Sequence, residues 1–205
     1  SMSNHILGIL CSGRGSNMQS IMAAIESGQI KAEIGIVLTD KPEARALQVA
    51  SEAGIKSVCV NRKACSTQQE FEEKLVAELK AANVTLVVLA GFMRILSPYF
   101  VEAYRHRILN IHPSLLPSFG GAHAHRDVLA YGTKVSGCTI HFVDEGMDHG
   151  PIILQDTVPV LDDDTEDTLA ARVLTKEHIL YPKAIELFVD GRLELIDDRH
   201  VRIKP

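Results

Sequence analysis

Residues 110–113, Asn-Ile-His-Pro, place an amide and an imidazole two positions apart. Because side chains alternate along a strand, Asn110 and His112 face the same way if this segment ends a strand, and Pro113 keeps His112 extended. An amide N–H and a protonated imidazole aimed at one point can stabilise the oxyanion of an acyl transfer, whereas a neutral His112 would serve as a general base. The alternative is a loop in which both side chains only satisfy backbone groups.

A partner for His112 is available in the stretch 141–151, which is polar and contains glycine between two β-rich runs, as functional loops often do. A carboxylate beside His112 would hold the imidazole in its cationic form. Asp144, Glu145 and Asp148 all offer one, and their spacing alone does not choose among them.

A glycine-bearing loop, residues 11–17 (Cys-Ser-Gly-Arg-Gly-Ser-Asn), separates an apolar run from a helical pattern. The backbone N–H groups at a helix N-terminus bind phosphate, and glycine lets a ligand approach the backbone closely. The dinucleotide fingerprint would need a third glycine at position 18, where this chain has Met18, and the Walker pattern is absent. The loop therefore favours a phosphate on a small substrate over a dinucleotide, the alternative being a tight turn without a ligand.

Strand-like and helix-like patterns alternate around these groups, which is typical of a doubly wound, mostly parallel α/β sheet. Helical spacing predicts helices at 16–27 and after Pro42, which we place in the first helical turn. Ser66 and Gln69 form a capping-box pattern that predicts the start of a third helix. Short apolar runs predict buried strands at residues 6–11, 34–38, 58–60, 86–90 and 108–111.

The second half of the chain begins with a loop, predicted from about Pro113, that is rich in Pro, Gly and His. Two β-rich runs follow at 135–143 and 152–160, and then a long helix from about 165 to 188. Negative charge at a helix N-terminus suits the helix dipole, so we interpret the acidic residues 162–164 as a cap rather than a metal site. The remaining residues predict one short strand or hairpin, a C-terminal antiparallel β extension of the fold.

Composition excludes several classes of protein. The 205 residues carry a net charge of −5, and a mildly acidic chain lacks the basic face that a nucleic-acid binder needs. Hydrophobic residues make up 46% and charged residues 23%, as in ordinary folded domains.

The four cysteines include no C-x-x-C pair, and no apolar run approaches the ~20 residues of a membrane span. Without a basic leader or a cleavage site near its start, the chain is expected to be cytoplasmic, with reduced thiols.

Five blocks of sequence, taken in order, resemble the glycinamide ribonucleotide formyltransferases, a family of folate-dependent enzymes also called phosphoribosylglycinamide formyltransferases. The blocks are residues 13–17, 90–98, 110–117, 121–125 and 148–155, and the likeness runs nearly end to end. The resemblance implies a Rossmann-like fold in a single formyltransferase domain spanning residues 2–205. Within it, residues up to about 112 would form the phosphate-binding half, and residues from about 113 the folate loop, the late strands and the long helix.

The resemblance also implies a reaction. The family transfers the formyl group of 10-formyltetrahydrofolate to the amine of N1-(5-phosphoribosyl)glycinamide, a step of de novo purine biosynthesis. On this basis we expect small-molecule substrates, no nucleic-acid or membrane partner, no metal, and a monomer or homodimer.

By resemblance, Asn110 and His112 stabilise the tetrahedral oxyanion, while Asp148 keeps His112 protonated and helps to shuttle protons. Arg94 is placed to reach the folate glutamate tail through a charge-assisted contact. The ribonucleotide would be held at its phosphate by Gly15, Ser16 and Asn17 and at its ribose by Glu177. The folate site would be lined by Met93, Arg94, Ile95, Leu96, Asn110, Val143 and Asp144, with the loop as far as Asp148.

Two positions depart from the family pattern. Gln68 stands where some relatives carry an arginine that contributes to substrate or phosphate binding, with Arg62 and Lys63 upstream as possible replacements. His149 stands where glycine is often found, so a stiffer loop is expected around Asp148.

Four other functions compete with this one. Formyltetrahydrofolate hydrolase and methionyl-tRNA formyltransferase share the Asn-x-His core, but each is expected to carry an additional domain. A non-catalytic nucleotide-binding module would keep the glycine loop and has no use for Asn110, His112 and Asp148 together. A metal enzyme could draw on several histidines, although no H-E-x-x-H or Cys/His spacing supports it. The histidines in question are His112, His123, His125, His141 and His149.

Overall fold

The computed structural model describes residues 4–205, so the predicted domain start at Met2 lies outside the described residues. The chain divides into two compact units, one ending at Leu109 and the other formed by Asn110–Pro205. The single formyltransferase domain expected over residues 2–205 stays a prediction.

The first unit is built around parallel strands. They are β1 (Ile6–Cys11), β2 (Glu33–Thr39), β3 (Ser57–Cys59), β4 (Leu86–Leu89) and the first residues of β5 (Ile108–His112). The helices are α1 (Ser16–Glu26), α2 (Arg45–Glu52), α3 (Gln68–Ala81) and α4 (Pro98–Ala103), with a 3₁₀ turn at Arg62–Ala64. Strand β1 pairs with β2 and β4 in parallel, so the loops after these three strands emerge at the same edge.

The second unit contains the rest of β5, α5 (Ala124–Tyr131), β6 (Val135–Phe142), β7 (Ile152–Pro159) and α6 (Glu166–Val189). Strands β6 and β7 pair antiparallel, and β8 (Leu193–Leu195) and β9 (Val201–Ile203) form a separate antiparallel hairpin. The strands of the main sheet follow the order β3-β2-β1-β4-β5-β6-β7. The predicted fold class, a mostly parallel α/β sheet with a C-terminal antiparallel extension and a long helix, is confirmed.

Helix α6 begins at a capping box formed by two threonines. The Thr165 hydroxyl accepts a hydrogen bond from the backbone N–H of Thr168, and the Thr168 hydroxyl accepts one from the N–H of Thr165. The cap is therefore Thr165 itself and not the acidic run before it. Asp164, the last residue of that run, instead accepts a hydrogen bond of 2.8 Å from the guanidinium of Arg172.

The start of α2 differs from the prediction. The helix begins at Arg45 and not in the turn at Pro42, because Ala44 is extended, with ψ 128°. The proline rigidifies the preceding turn, in which the N–H of Ala44 donates to the carbonyl of Lys41.

Helix α3 begins one residue later than the pattern of Ser66 and Gln69 predicts. Thr67 is the cap, and its hydroxyl accepts a hydrogen bond of 3.0 Å from the N–H of Glu70. Ser66 and Thr67 are both capping residues followed three positions later by Gln or Glu, so the local pattern fits either start.

The predicted loop after Pro113 contains the helix α5, which ends at Gly132 in the left-handed conformation, φ 89°. The sequence does not predict this helix, because its helical pattern is short and directly follows a segment rich in histidine and glycine. Elsewhere the observed strand bounds lie within one residue of those predicted. None of the helices in residues 4–205 is both long and apolar enough to cross a membrane.

Candidate active site

Asn110 lies in β5 with its side-chain amide beside an imidazole of β6. The Nδ2 atom of Asn110 is 3.4 Å from Nε2 of His141, and Nδ1 of His141 is 2.8 Å from the carbonyl oxygen of Phe142. A carbonyl only accepts hydrogen bonds, so Nδ1 carries the proton of a neutral His141 and Nε2 accepts from Asn110. Burial lowers the pKa of His141, which favours this neutral form. The contact orients the amide and leaves its second N–H for another acceptor.

His112, two residues further along β5, is buried between two acceptors. Its Nε2 donates to the carbonyl oxygen of Phe119 at 2.9 Å, and its Nδ1 is 3.5 Å from Oδ1 of Asp148. An imidazole can donate in both directions only as the cation. At 3.5 Å the contact with Asp148 is longer than a tight hydrogen bond, and it is an ion pair only when the imidazole is protonated.

Asp148 is held in the left-handed backbone conformation, with φ 50°. This conformation costs a non-glycine residue roughly 1–2 kcal/mol. Oδ2 of Asp148 accepts a hydrogen bond of 2.8 Å from the N–H of Gly121, whose own φ of 90° favours glycine. The loop at Phe119 and Gly121 therefore supplies an acceptor for His112 and a donor for Asp148, and it aligns the two.

The loop between β6 and β7, residues 143–151, is also closed by contacts of its own. Oδ2 of Asp144 is 2.9 Å from Nδ1 of His149, and Oδ1 of Asp144 accepts a hydrogen bond from the N–H of Gly146. His149 thus makes a cross-loop contact that glycine could not make. Asp144 is engaged within the loop, and Asp148 is the carboxylate brought to His112.

In the first unit, the glycine loop joins β1 to α1 as predicted. Gly15 is left-handed, φ 74°, and forms the N-cap of α1 without a side-chain cap. No side chain at the N-cap contributes a hydrogen bond to this first turn, where the helix dipole favours an anion near Ser16 and Asn17. A Cβ on Gly15 would lie 3.3 Å from the Cβ of Ala46, so a larger residue would crowd the loop.

The segment 91–97, which follows β4, is irregular but anchored to the loops after β1 and β2. The hydroxyl of Ser12 accepts a hydrogen bond of 2.9 Å from the N–H of Met93. Arg94 donates through Nε to Oδ2 of Asp40 at 2.7 Å, and the Asp40 side chain is only 1% exposed. Two of the loops at this edge therefore hold the segment directly.

A buried carboxylate on α3 holds the end of the same segment. Glu72 is 0% exposed and accepts hydrogen bonds from the hydroxyl and the backbone N–H of Ser97, the latter at 2.8 Å. It also accepts one of 2.7 Å from the amide of Gln68, and that amide reaches the carbonyl of Ile95 at 3.3 Å. Gln68, the departure from the family pattern, thus contacts the segment 91–97.

These anchors display two apolar side chains. Met93 is 67% exposed and Ile95 is 69% exposed, whereas Leu96 is buried. Apolar side chains held outward on an anchored segment offer the surface that a flat ring system would need. Arg62, in the 3₁₀ turn, donates to Oε1 of Gln68 at 3.4 Å, and Lys63 follows it in the same turn.

Glu177 lies on α6 and is almost fully buried. Cys138 on β6 lies near it: burial, with Glu177 and Asp156 nearby, raises the pKa of this thiol to about 12. Within residues 4–205, no three His, Cys, Asp or Glu side chains are grouped as a metal ion would require.

The sequence profile of a protein family described as formyl transferase matches residues 6–185. The chain belongs to that family. Phosphoribosylglycinamide formyltransferase of Escherichia coli strain K12 is 44% identical over 187 residues, which cover 91% of this chain and 88% of that protein. The trifunctional purine biosynthetic protein adenosine-3 of Drosophila melanogaster is 46% identical over 185 residues, 89% of this chain but 14% of that longer protein.

Solved structures agree with this assignment. The crystal structure of glycinamide ribonucleotide transformylase 1 from Symbiobacterium toebii matches with a TM-score of 0.96 and 44% identity, covering 100% of this chain and 95% of that chain. The family predicted from the sequence motifs is thereby confirmed.

Several groups that hold the predicted site residues of each unit in place are not themselves predicted from the sequence. The sequence motifs suggest His141 only as a metal ligand, whereas the structure places it beside Asn110, as a residue of the neighbouring strand β6. Glu72 carried a signal, since it shares the helical spacing of buried Leu75 and Leu79 and is a charged residue in an apolar stripe. The carbonyl of Phe119 and the N–H of Gly121 carried none, because backbone groups leave no mark in a sequence.

Proposed function

We propose that this chain is a phosphoribosylglycinamide formyltransferase. It would transfer the formyl group of 10-formyltetrahydrofolate to the amine of N1-(5-phosphoribosyl)glycinamide, giving the formylglycinamide ribonucleotide and tetrahydrofolate in de novo purine biosynthesis. The observation that carries the proposal is the arrangement of Asn110, His112 and Asp148 in the second unit. The identity of 44% to the Escherichia coli protein of that name supports the same activity.

In the proposed reaction, the amine attacks the formyl carbon and the electron pair of the C=O bond moves onto the formyl oxygen. Asn110 would donate its second amide N–H to this oxygen, since His141 holds the first. His112 would donate through Nδ1, because its Nε2 is engaged by Phe119. Donors fixed in advance stabilise the developing charge without reorganisation during the reaction.

Asp148 would serve the proton transfers. Oδ1 of Asp148 lies 3.5 Å from Nδ1 of His112, so its negative charge would stabilise the imidazolium form of His112 during the reaction. One proton leaves the attacking nitrogen, and one reaches the folate nitrogen when its bond to the formyl carbon breaks, so the reaction consumes no net proton. Gly121 holds the other carboxylate oxygen and keeps Asp148 directed at His112.

The same proposal assigns the binding residues in the first unit. Gly15, Ser16 and Asn17 would bind the ribonucleotide phosphate at the N-terminus of α1, where the helix dipole favours an anion. Met93 and Ile95 would line the folate ring. Asp40 engages Arg94 through Nε, which leaves the terminal guanidinium nitrogens for a folate carboxylate. In the second unit, Val143, Asp144 and Glu177 would complete the folate and ribose contacts.

A spectroscopic assay with 10-formyl-dideazafolate, run with and without glycinamide ribonucleotide, tests the activity. We expect folate product only when the ribonucleotide is present. Asn110→Ala should lower kcat by ~10²–10³, the cost of one lost oxyanion donor. Asn4→Ala, which removes an exposed amide, is the control and should leave kcat unchanged. Near-normal turnover in Asn110→Ala would contradict the oxyanion role.

The assay also separates the competing functions. Equal release of folate product without the ribonucleotide would identify a hydrolase and remove the argument from the glycine loop. No release under either condition, together with binding of the ribonucleotide, would identify a binding module. A chelator that abolished activity would point to a metal enzyme.

A further inference from the structure

The C-terminal hairpin reaches back to the loop that carries Asp148. Arg199, in the turn between β8 and β9, donates through Nη1 to the carbonyl of His149 and through Nη2 to the carbonyl of Gly150, the second at 3.3 Å. His200 forms an isolated bridge with Ile152 at the start of β7. The two carbonyls that Arg199 binds follow Asp148 directly in the chain.

The turn that presents Arg199 is itself ordered. Asp197 accepts hydrogen bonds of 2.7 Å from the backbone N–H groups of Arg199 and His200. These hydrogen bonds lower the pKa of Asp197, so the carboxylate that organises the turn is ionised near neutral pH. The N–H of Ile196 donates to the carbonyl of His200 and closes the turn. The guanidinium of Arg199 therefore extends from a turn that is held by hydrogen bonds.

Asp148 needs such support because of its backbone conformation. A non-glycine residue persists at φ 50° only where its surroundings impose that conformation. Before Asp148, the loop is held by Asp144, which binds the N–H of Gly146. After Asp148, the side chain of His149 is held by Asp144, and Arg199 fixes the backbone carbonyls of His149 and Gly150, so Arg199 limits how far this peptide can rotate.

We propose that Arg199 is a positioning residue that keeps Asp148 directed at His112 from outside the loop. It contacts neither substrate nor reacting atoms and acts through the backbone that follows Asp148. The inference rests on the proposed function, because Asp148 must take part in formyl transfer for its position to affect turnover. Arg199 lies beyond residues 6–185, the part of the chain that matches the family.

Arg199→Ala tests this role, with Arg202→Ala as the matched control. Arg202 is an exposed arginine on β9 of the same hairpin and pairs with Glu194 at 3.9 Å. We expect kcat to fall about tenfold in Arg199→Ala with little change in KM, since a displacement of about 1 Å in a catalytic group can cost up to ~10²-fold. Arg202→Ala should keep normal kinetics, and both variants should unfold at similar urea concentrations.

A double-mutant comparison distinguishes positioning from a general structural role. In an Asp148→Asn background, Arg199→Ala should lower kcat no further, because the group it positions has already been removed. A full tenfold additional loss in that background would overturn the inference. So would a kcat for Arg199→Ala equal to that of Arg202→Ala.

Backbone amide hydrogen exchange of residues 144–150 gives a readout that does not depend on activity. We expect faster exchange in Arg199→Ala than in the wild type and in Arg202→Ala. Unchanged exchange would overturn the inference. If the wild-type protein transferred no formyl group, the proposed function would fail, while the exchange comparison would still show whether Arg199 holds this loop.

Discussion

Glu72 offers a prediction whose size follows directly from its contacts. The carboxylate is fully buried and accepts three hydrogen bonds: two from Ser97 and one from Gln68. Glu72→Ala removes the acceptor of these three partly buried donors, and each polar group left unsatisfied away from water costs about 1–3 kcal/mol. Because the freed groups share the same space and relax together, we expect a total loss of about 3–5 kcal/mol in the free energy of unfolding. That is a large part of the 5–15 kcal/mol that is typical of a folded domain.

Two further variants separate the contribution of the charge from that of the acceptor. Glu72→Gln keeps one oxygen for the N–H groups of Ser97 and Gln68, and the Ser97 hydroxyl can turn to accept from the new amide. This variant should therefore lower the free energy of unfolding by only about 1–2 kcal/mol, because hydrogen bonds to a charged acceptor are stronger than those to a neutral one. Glu73→Ala, an exposed carboxylate next in the helix, is the control and should stay within about 0.5 kcal/mol of wild type.

The measurements are urea unfolding followed by circular dichroism and steady-state kinetics of formyl transfer. Because Glu72 anchors Ser97, and Gln68 reaches Ile95, we expect Glu72→Gln to raise the KM for the formyl folate more than the KM for the ribonucleotide. If Glu72→Ala unfolded within about 1 kcal/mol of the Glu73→Ala control, the reasoning about a buried, triply bonded carboxylate would be wrong.

Three shorter predictions address the rest of the molecule. Gly15→Ala should raise the KM for the ribonucleotide several-fold. The control Gly28→Ala, also at positive φ but with no atom near the new Cβ, should cost similar stability and leave this KM unchanged. Equal KM values in the two variants would exclude a role of the loop at Gly15 in binding the phosphate. Burial raises the pKa values of Cys11 and Cys138 to about 12, so Ellman's reagent at pH 8 should modify them only after unfolding, and rapid native modification would contradict this. The pKa of His141 is lowered from 6.5, so the folded state favours its neutral form; stability is fully present above pH 6.5 and declines as pH falls below it. His141→Gln should flatten that decline in urea titrations between pH 7.5 and 5.5, and an identical slope would refute the assignment.

Much of the fold could be predicted from local patterns. The continuous apolar run of β1, Ile6–Cys11, and the spaced apolar positions of α6, Glu166–Val189, are set by residues close together in the chain. The shared face of Asn110 and His112 follows in the same way from the alternation of side chains along β5. The start of α3 differs from the prediction because the adjacent Ser66 and Thr67 fit the capping pattern equally well. The start of α2 differs because Pro42 lies in a turn before the helix and Ala44 is extended.

The sequence by itself therefore determined the family, the strand and helix alternation, and the pair of side chains suited to an oxyanion. The spacing of Asp144, Glu145 and Asp148 left the carboxylate open, and the family resemblance indicated Asp148. Only the tertiary structure gives the contacts: Asp148 faces His112, whereas Asp144 is engaged by His149. The placement of Asp148 depends on the N–H of Gly121, which lies 27 residues from Asp148 in the chain. Hydrogen-bond partners this far apart are brought together by strand order and loop path, and no pattern in neighbouring residues encodes them.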